Sequence, residues 1–305
     1  MQKQTRAYIY ALSAIGLWST VASAFKLTLA ETGVIELLFV ATMASFLSLL
    51  AVAIFRASLS TLRDWPREEW RSSAVLGLLN PFLYYLVLFR AYDLLPAQEA
   101  QPLNYTWPIV LVLLSALILR QPLRGRSVVA MLISFGGVAV ISTRGEVFAL
   151  RFTNVEGVAL AVGSSLIWSL YWIYTMRSAA DPLLKLGVNF LFGSVYVAIL
   201  AIASGALLRL TDGAVFGGVY VGLFEMGITF MLWMKALELT STTARIGNLV
   251  FLSPFLSLMI IHLVVGEEIY PSTPVGLLLI VGGIILEKIG REGPRGDISR
   301  RTAHR

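Results

Sequence analysis

Residues 98–122 read QEAQPLNYTWPIVLVLLSALILRQP. The stretch is apolar enough to cross a membrane, yet its first half carries Gln101, Asn104, Tyr105, Thr106, Trp107 and Pro108. Gln101, Asn104 and Pro108 recur at i, i+3 and i+7 and so share one helix face. Tyr105 lies beside that face, and Trp107 falls about 60° beyond Pro108 at ~100° per residue. Polar groups at membrane depth are costly unless they face protein or a water-filled space. Pro108 removes a backbone N–H and tends to kink the helix. The stretch therefore reads as a membrane helix forming one wall of a substrate cavity. Taken alone, Asn104 could equally be packing glue between helices. The rest of the chain repeats the pattern.

Of the 305 residues, 57% are apolar and 14% charged, against ~25% charged for a soluble domain. No soluble fold could cover that much apolar surface. The class is an all-α polytopic membrane protein. A net charge of +6 could suggest nucleic acid, but the basic residues sit in short loops and tails, so topology accounts for them and no nucleic-acid partner is expected. The absence of cysteine excludes disulfides and thiolate metal sites. No cofactor motif is found. The N-terminus runs into a full-length span without a distinct cleavage site, so no cleaved signal peptide is expected.

Ten spans of the length set by a ~30 Å hydrocarbon core are expected at 7–28, 34–55, 73–94, 98–118, 126–143, 155–176, 184–204, 214–237, 245–265 and 272–289. With the N-terminus inside, 19 of the 24 Lys and Arg residues fall on the inner side. That bias places both termini in the cytoplasm. Lys26 and Arg90 sit near outer helix ends and can snorkel.

The chain also repeats itself. The segment from Arg90 to Asp93 matches that from Lys235 to Glu238. Pro108 matches Pro254, Gly136-Gly137 matches Gly282-Gly283, and Trp18-Ser19 matches Trp168-Ser169. Asn80 in span three corresponds to Glu225 in span eight. Five correspondences in one order define two halves, 1–145 and 146–290, followed by a basic, disordered cytoplasmic tail at 291–305. Five helices per half is odd, so the halves insert in opposite senses: two inverted five-helix repeats around a central cavity, the plan of secondary transporters.

These features, with Gly266-Glu267 after span nine, resemble the drug/metabolite transporter superfamily, EamA type, over nearly all of 7–290. Trp18, Tyr84, Tyr85, Tyr105, Trp107 and Trp168 are similar to the aromatic residues of bacterial aromatic amino-acid exporters. One departure is Arg120-Gln121, where many members carry an acid. The resemblance implies a cavity built by spans 1–4 and 6–9, with spans five and ten peripheral.

Candidate substrate-binding residues follow. Glu225 is a carboxylate deep in a span, a functional position by default. It could couple transport to protons, anchor a substrate ammonium, or hydrogen-bond a neighbouring helix. Asn80 and Tyr84 are i, i+4 on span three and are expected to line the same space. Trp18 and Trp168 occupy span middles rather than interfacial belts. Tyr85, Gln101, Asn104, Tyr105, Trp107 and, on span nine, Asn248 complete the set. Gly16, Thr20 and Ser23, Gly163 and Ser164, and the two Gly-Gly pairs are expected to let helices pack closely. His262 reads as a hydrogen-bonded residue rather than a ligand.

The expected function is export of amino acids, aromatic ones favoured, by a multi-pass protein of the bacterial inner membrane, plausibly monomeric. Within transport the alternative is a drug or metabolite carrier, including sugar-phosphate and nucleotide-sugar types. Such anions would want a mid-span Lys or Arg, and none occurs. In a different class stands a membrane receptor or enzyme, although HExxH and GxSxG motifs are missing.

Overall fold

The computed structural model describes residues 3–56, 58–120, 125–149, 152–240, 246 and 249–291. Among them, eight helices are long and apolar enough to cross a membrane. They are α1 (Lys3–Leu29), α2 (Val34–Phe55), α3 (Arg67–Leu94), α4 (Ala97–Ile118), α5 (Gly125–Ser142), α6 (Val155–Thr175), α7 (Pro182–Ala203) and α8 (Asp212–Leu239). Two shorter apolar helices, α9 (Val250–Val265) and α10 (Ser272–Arg291), stand where the ninth and tenth spans are expected.

Local chemistry sets several boundaries. Asn154, Asp181 and Thr211 cap α6, α7 and α8, their side-chain oxygens accepting the first free backbone N–H groups, as short polar residues do at helix starts. Pro182 follows Asp181 at the first helical position, where its missing N–H costs nothing. Gly205 at φ +69° and Gly266 at φ +79° stop α7 and α9, a backbone region that glycine enters without strain. Large side chains point outward on these helices: Phe216 is 77% and Leu132 69% exposed. That is a surface built for lipid.

The packing is two-fold. α1 lies against α8 and α9, and α6 lies in the same way against α3 and α4. α2 meets α8 as α7 meets α3, while α2·α7 and α5·α10 pair corresponding helices of the two halves. Exchanging the halves leaves this pattern unchanged. In the α5·α10 seam, a Cβ on Gly137 would lie 2.5 Å from the Gly276 carbonyl oxygen, and one on Gly283 would lie 2.6 Å from that of Ala130. Residue numbers rise along one helix as they fall along the other, so the two run antiparallel. Two halves related by inversion require this.

The glycine expectations are corrected in part. A Cβ added to Gly136 or Gly282, the first of each pair, would meet nothing within 4 Å, and the same holds for Gly16 and Gly163. Close approach falls instead to Gly77 against Gly193 in α3·α7, and to Gly218 and Gly222 against α2. Ion pairs recur as well. Arg90–Asp93 and Lys235–Glu238 close the corresponding ends of α3 and α8 at 2.5 and 2.9 Å. Glu36 at the start of α2 meets Arg209 ahead of α8 at 2.8 Å, and Lys185 at the start of α7 meets Glu69 at 2.6 Å. In this last correspondence the charges are swapped between halves.

Candidate functional site

The site depends on three interrupted helices. In α4 the helix breaks at Tyr105 and Thr106, within the turn that precedes Pro108, and restarts at Trp107. Thr106 donates to the Leu103 carbonyl at 2.8 Å and its hydroxyl lies 3.2 Å from that of Ser165 on α6, contacts that hold the break. α3 and α8 each contain one wide π-type turn at corresponding places, Leu78–Leu83 and Gly222–Gly227. Such turns recur at functional sites because they redirect side chains. In α3 the turn surrounds Asn80 and Pro81; in α8 it carries Glu225.

These interruptions surround a cavity of about 420 Å³. Trp18, Tyr84, Gln101, Asn104, Tyr105, Trp107, Trp168 and Glu225 all line it. Asn104 is spent on both sides: its amide N–H donates to Ser164 at 2.8 Å, and its oxygen accepts from the Tyr84 hydroxyl at 3.3 Å. The Tyr84 ring lies 4.7 Å from Trp168, within the range of favourable aromatic pairs. Trp18 packs 5.4 Å from Trp233 and 5.8 Å from Phe230, while its indole N–H donates to the Glu225 backbone carbonyl at 3.4 Å. The serines following the two tryptophans act alike. Ser19 donates to the Ser253 carbonyl at 3.3 Å and Ser169 to the Trp107 carbonyl at 2.9 Å. Ser253 and Trp107 are themselves corresponding positions one residue ahead of Pro254 and Pro108.

Two candidates lie off the wall. Asn80 is 1% exposed. The break in α3 turns it away from Tyr84, and it hydrogen-bonds with Tyr171, which also accepts from Asn189 at 3.3 Å. The i, i+4 argument fails there because Asn80 has φ −144° and ψ 120°, so the helical register is lost between the two residues. Tyr85 is likewise buried behind the wall; its hydroxyl reaches forward and donates to Glu225 Oε1 at 3.2 Å. Asn248 lies outside the described residues. His262 pairs with the Glu267 backbone carbonyl at 3.0 Å.

Some lining residues were not among the sequence candidates. Phe25, Tyr92, Trp172, Phe230 and Trp233 extend the aromatic lining, and Glu287 adds a second carboxyl from α10. The expectation that the tenth span is peripheral is thus corrected. α10 brings Ile284 and Glu287 to the cavity from beside the face that holds the α5 seam, whereas α2 and α7 contribute no lining residue. Glu287 sits at a span end beside Lys288, where an acid reads as an interfacial charge. The i, i+3 spacing from Ile284 was the available signal.

The cavity is closed at the end away from Lys3. Just past Phe25 and Tyr92, Lys26 donates to the Tyr92 and Leu95 carbonyls at 3.0 and 2.9 Å. The Glu267 carboxylate accepts the Ala97 and Gln98 backbone N–H groups that open α4, where an anion is favoured. Gln98 clasps the α9–α10 loop through the Glu268 carbonyl and the Tyr270 N–H. Glu99, wholly buried, takes Arg144 at 3.2 Å.

The EamA-like transporter family matches twice, at residues 5–143 and 155–287, one copy per half. The aromatic amino acid exporter YddG of Ancylobacter novellus is 30% identical over 181 residues, and the match covers 59% of this chain and 61% of that exporter. The uncharacterized protein PA1977 of Pseudomonas aeruginosa is 29% identical over 258 residues, covering 82% of this chain and 86% of its own. The uncharacterized transporter YvbV of Bacillus subtilis is 25% identical over 72% of both chains. One solved crystal structure superposes with TM-score 0.62 at 24% identity, covering 93% of this chain and 97% of its own, a likeness of fold. Two matched halves, a two-fold arrangement of interrupted helices and a cavity between them lead to one conclusion: the chain is a membrane protein belonging to the EamA-like transporter family.

Proposed function

We propose that the protein exports amino acids, aromatic ones favoured, by alternating access across the bacterial inner membrane, with both termini in the cytoplasm. The observation that carries this reading is the lining of the cavity. Trp18, Tyr84, Tyr105, Trp107 and Trp168 present aromatic surface around a space of about 420 Å³, where a ring can stack and bury its faces. The activity named for the Ancylobacter relative supports the same substrate class. Anionic metabolites such as sugar phosphates fit poorly, because the described lining contains no Lys or Arg. Glu225 orients substrate or helices in a facilitative or exchange cycle. The closed end away from Lys3 is the external one, so substrate enters from the cytoplasm.

The test is counterflow in proteoliposomes loaded with unlabelled aromatic amino acid. Labelled substrate should accumulate transiently inside, and aliphatic amino acids should compete more weakly. No counterflow with any amino acid would overturn the reading in favour of another metabolite, a receptor or an enzyme.

A further inference from the structure

Acceptors and donors around the cavity are unevenly supplied. Two carboxyl groups line it, Glu225 from α8 and Glu287 from α10, and no Lys, Arg or His is among the described lining residues. The Gln101 side-chain oxygen, also at the wall, is buried without a hydrogen-bond partner. Buried acceptors left in that condition are unfavourable and call for a donor. On the donor side, one Asn104 amide N–H is committed to Ser164, the Trp18 indole to the Glu225 backbone carbonyl, and the Tyr85 hydroxyl to Glu225 itself. The Trp172 indole N–H is a buried lining donor with no partner, and it is neutral.

A ligand ammonium is therefore met by the Glu225 carboxyl and an amide oxygen. Among the described lining residues a ligand carboxylate is met by no cation, and it shares the space with the Glu225 carboxyl. Like charges enclosed together repel, the more so in a site of reduced polarity. An amino acid would be held by its ring and its amine, with its carboxylate tolerated rather than recognised.

We propose that the cavity also binds and carries aromatic amines that lack a carboxylate, and that it discriminates against the corresponding aromatic acids that lack the amine. This rests on the reading of the cavity as the transport site and names the ligand group that site recognises. Glu225 is the first anchor for the ammonium, since its carboxyl is fixed by Tyr85 from behind. The Gln101 side-chain oxygen, buried at the wall without a partner, serves as a second acceptor.

The test uses purified full-length protein and three ligands sharing one ring: tryptamine, tryptophan and indole-3-propionate. Affinities are measured by titration calorimetry, and the same compounds serve as competitors in tryptophan counterflow. Tryptamine should bind at least as tightly as tryptophan, and indole-3-propionate about tenfold or more weaker than tryptamine, the scale of one lost charged contact. Glu225→Gln should weaken tryptamine by about tenfold or more while leaving indole-3-propionate unchanged or tighter. Should Glu225→Gln fail to fold, Gln101→Leu should shift the same ratio in the same direction. Equal binding of the acid and the amine overturns the inference, as does failure of tryptamine to bind. An unchanged ratio in a folded variant also overturns it. The two readings fail separately. Tryptophan exchange without tryptamine binding removes the amine class alone. Tryptamine binding without tryptophan exchange removes the amino-acid reading alone.

Discussion

Glu225 differs from its counterpart Asn80 in chemistry and in placement. One faces the cavity and takes a hydroxyl from Tyr85; the other is turned into the α3·α6·α7 packing. Glu225, the mid-span acid of the lining, gives the cavity a point at which transport could depend on a proton. If Glu225 couples to protons, Glu225→Gln should preserve exchange at equal pH and abolish accumulation driven by a pH gradient. If it holds substrate, both should fall together, and that joint loss in proteoliposomes is the outcome expected here. Trp168 and Trp107 test the aromatic wall. Trp168→Ala should weaken binding of an aromatic substrate by about 0.5–1.5 kcal/mol per lost ring contact, plus burial, and Trp107→Ala should act similarly. Both variants should still reach the membrane in near-normal amount. Unchanged Kd for both would show the rings to be packing. Gln101, Asn104 and Trp168 were legible in the sequence because their helices hold a regular period up to each residue. Asn80 was not, because period arguments assume continuous helix and the α3 backbone departs from it at that residue.

Among the elements, α5 and α10 make the sharpest claim. A Cβ on Gly137 or Gly283 would stand 2.5 or 2.2 Å from the facing helix, whereas one on Gly136 or Gly282 would meet nothing. Gly137→Ala and Gly283→Ala should each force the seam apart and destabilise the protein by about 1–3 kcal/mol, the usual cost of overpacking. Gly136→Ala and Gly282→Ala should be silent or slightly stabilising, since alanine favours helix over glycine. Thermal unfolding in detergent distinguishes the pairs; equal effects at all four positions would refute the seam. The Gly-Gly motif itself was visible in the sequence. Which glycine of each pair faces inward depends on the rotation of the helix about its axis, and the evenly apolar surfaces of α5 and α10 left no amphipathic stripe to fix it. The same blindness hid the lining role of Ile284 and Glu287.

For the whole molecule, class and repeat were readable from span lengths and ordered correspondences, because lipid forces every backbone polar group into helices of nearly fixed length. The ends of the bundle follow from alternation. Single cysteines can be placed at Ser60, between α2 and α3, and at Phe148, between α5 and α6, which is fully exposed. An impermeant thiol reagent applied to intact cells should label Phe148→Cys alone; labelling of Ser60→Cys would reverse the assigned orientation. The antiparallel seam also bears on how the protein is made. α5 cannot find its partner until α10, the last of the described helices, has left the ribosome. At 5–20 residues per second, the roughly 150 residues of the second half take about 10–30 s to synthesise. Throughout that interval the glycine face of α5 is bare in the bilayer, so the first half must either wait unpaired or be held by the insertion machinery. A nascent chain stalled before α10 should therefore remain in contact with that machinery, and its release should coincide with translation of α10.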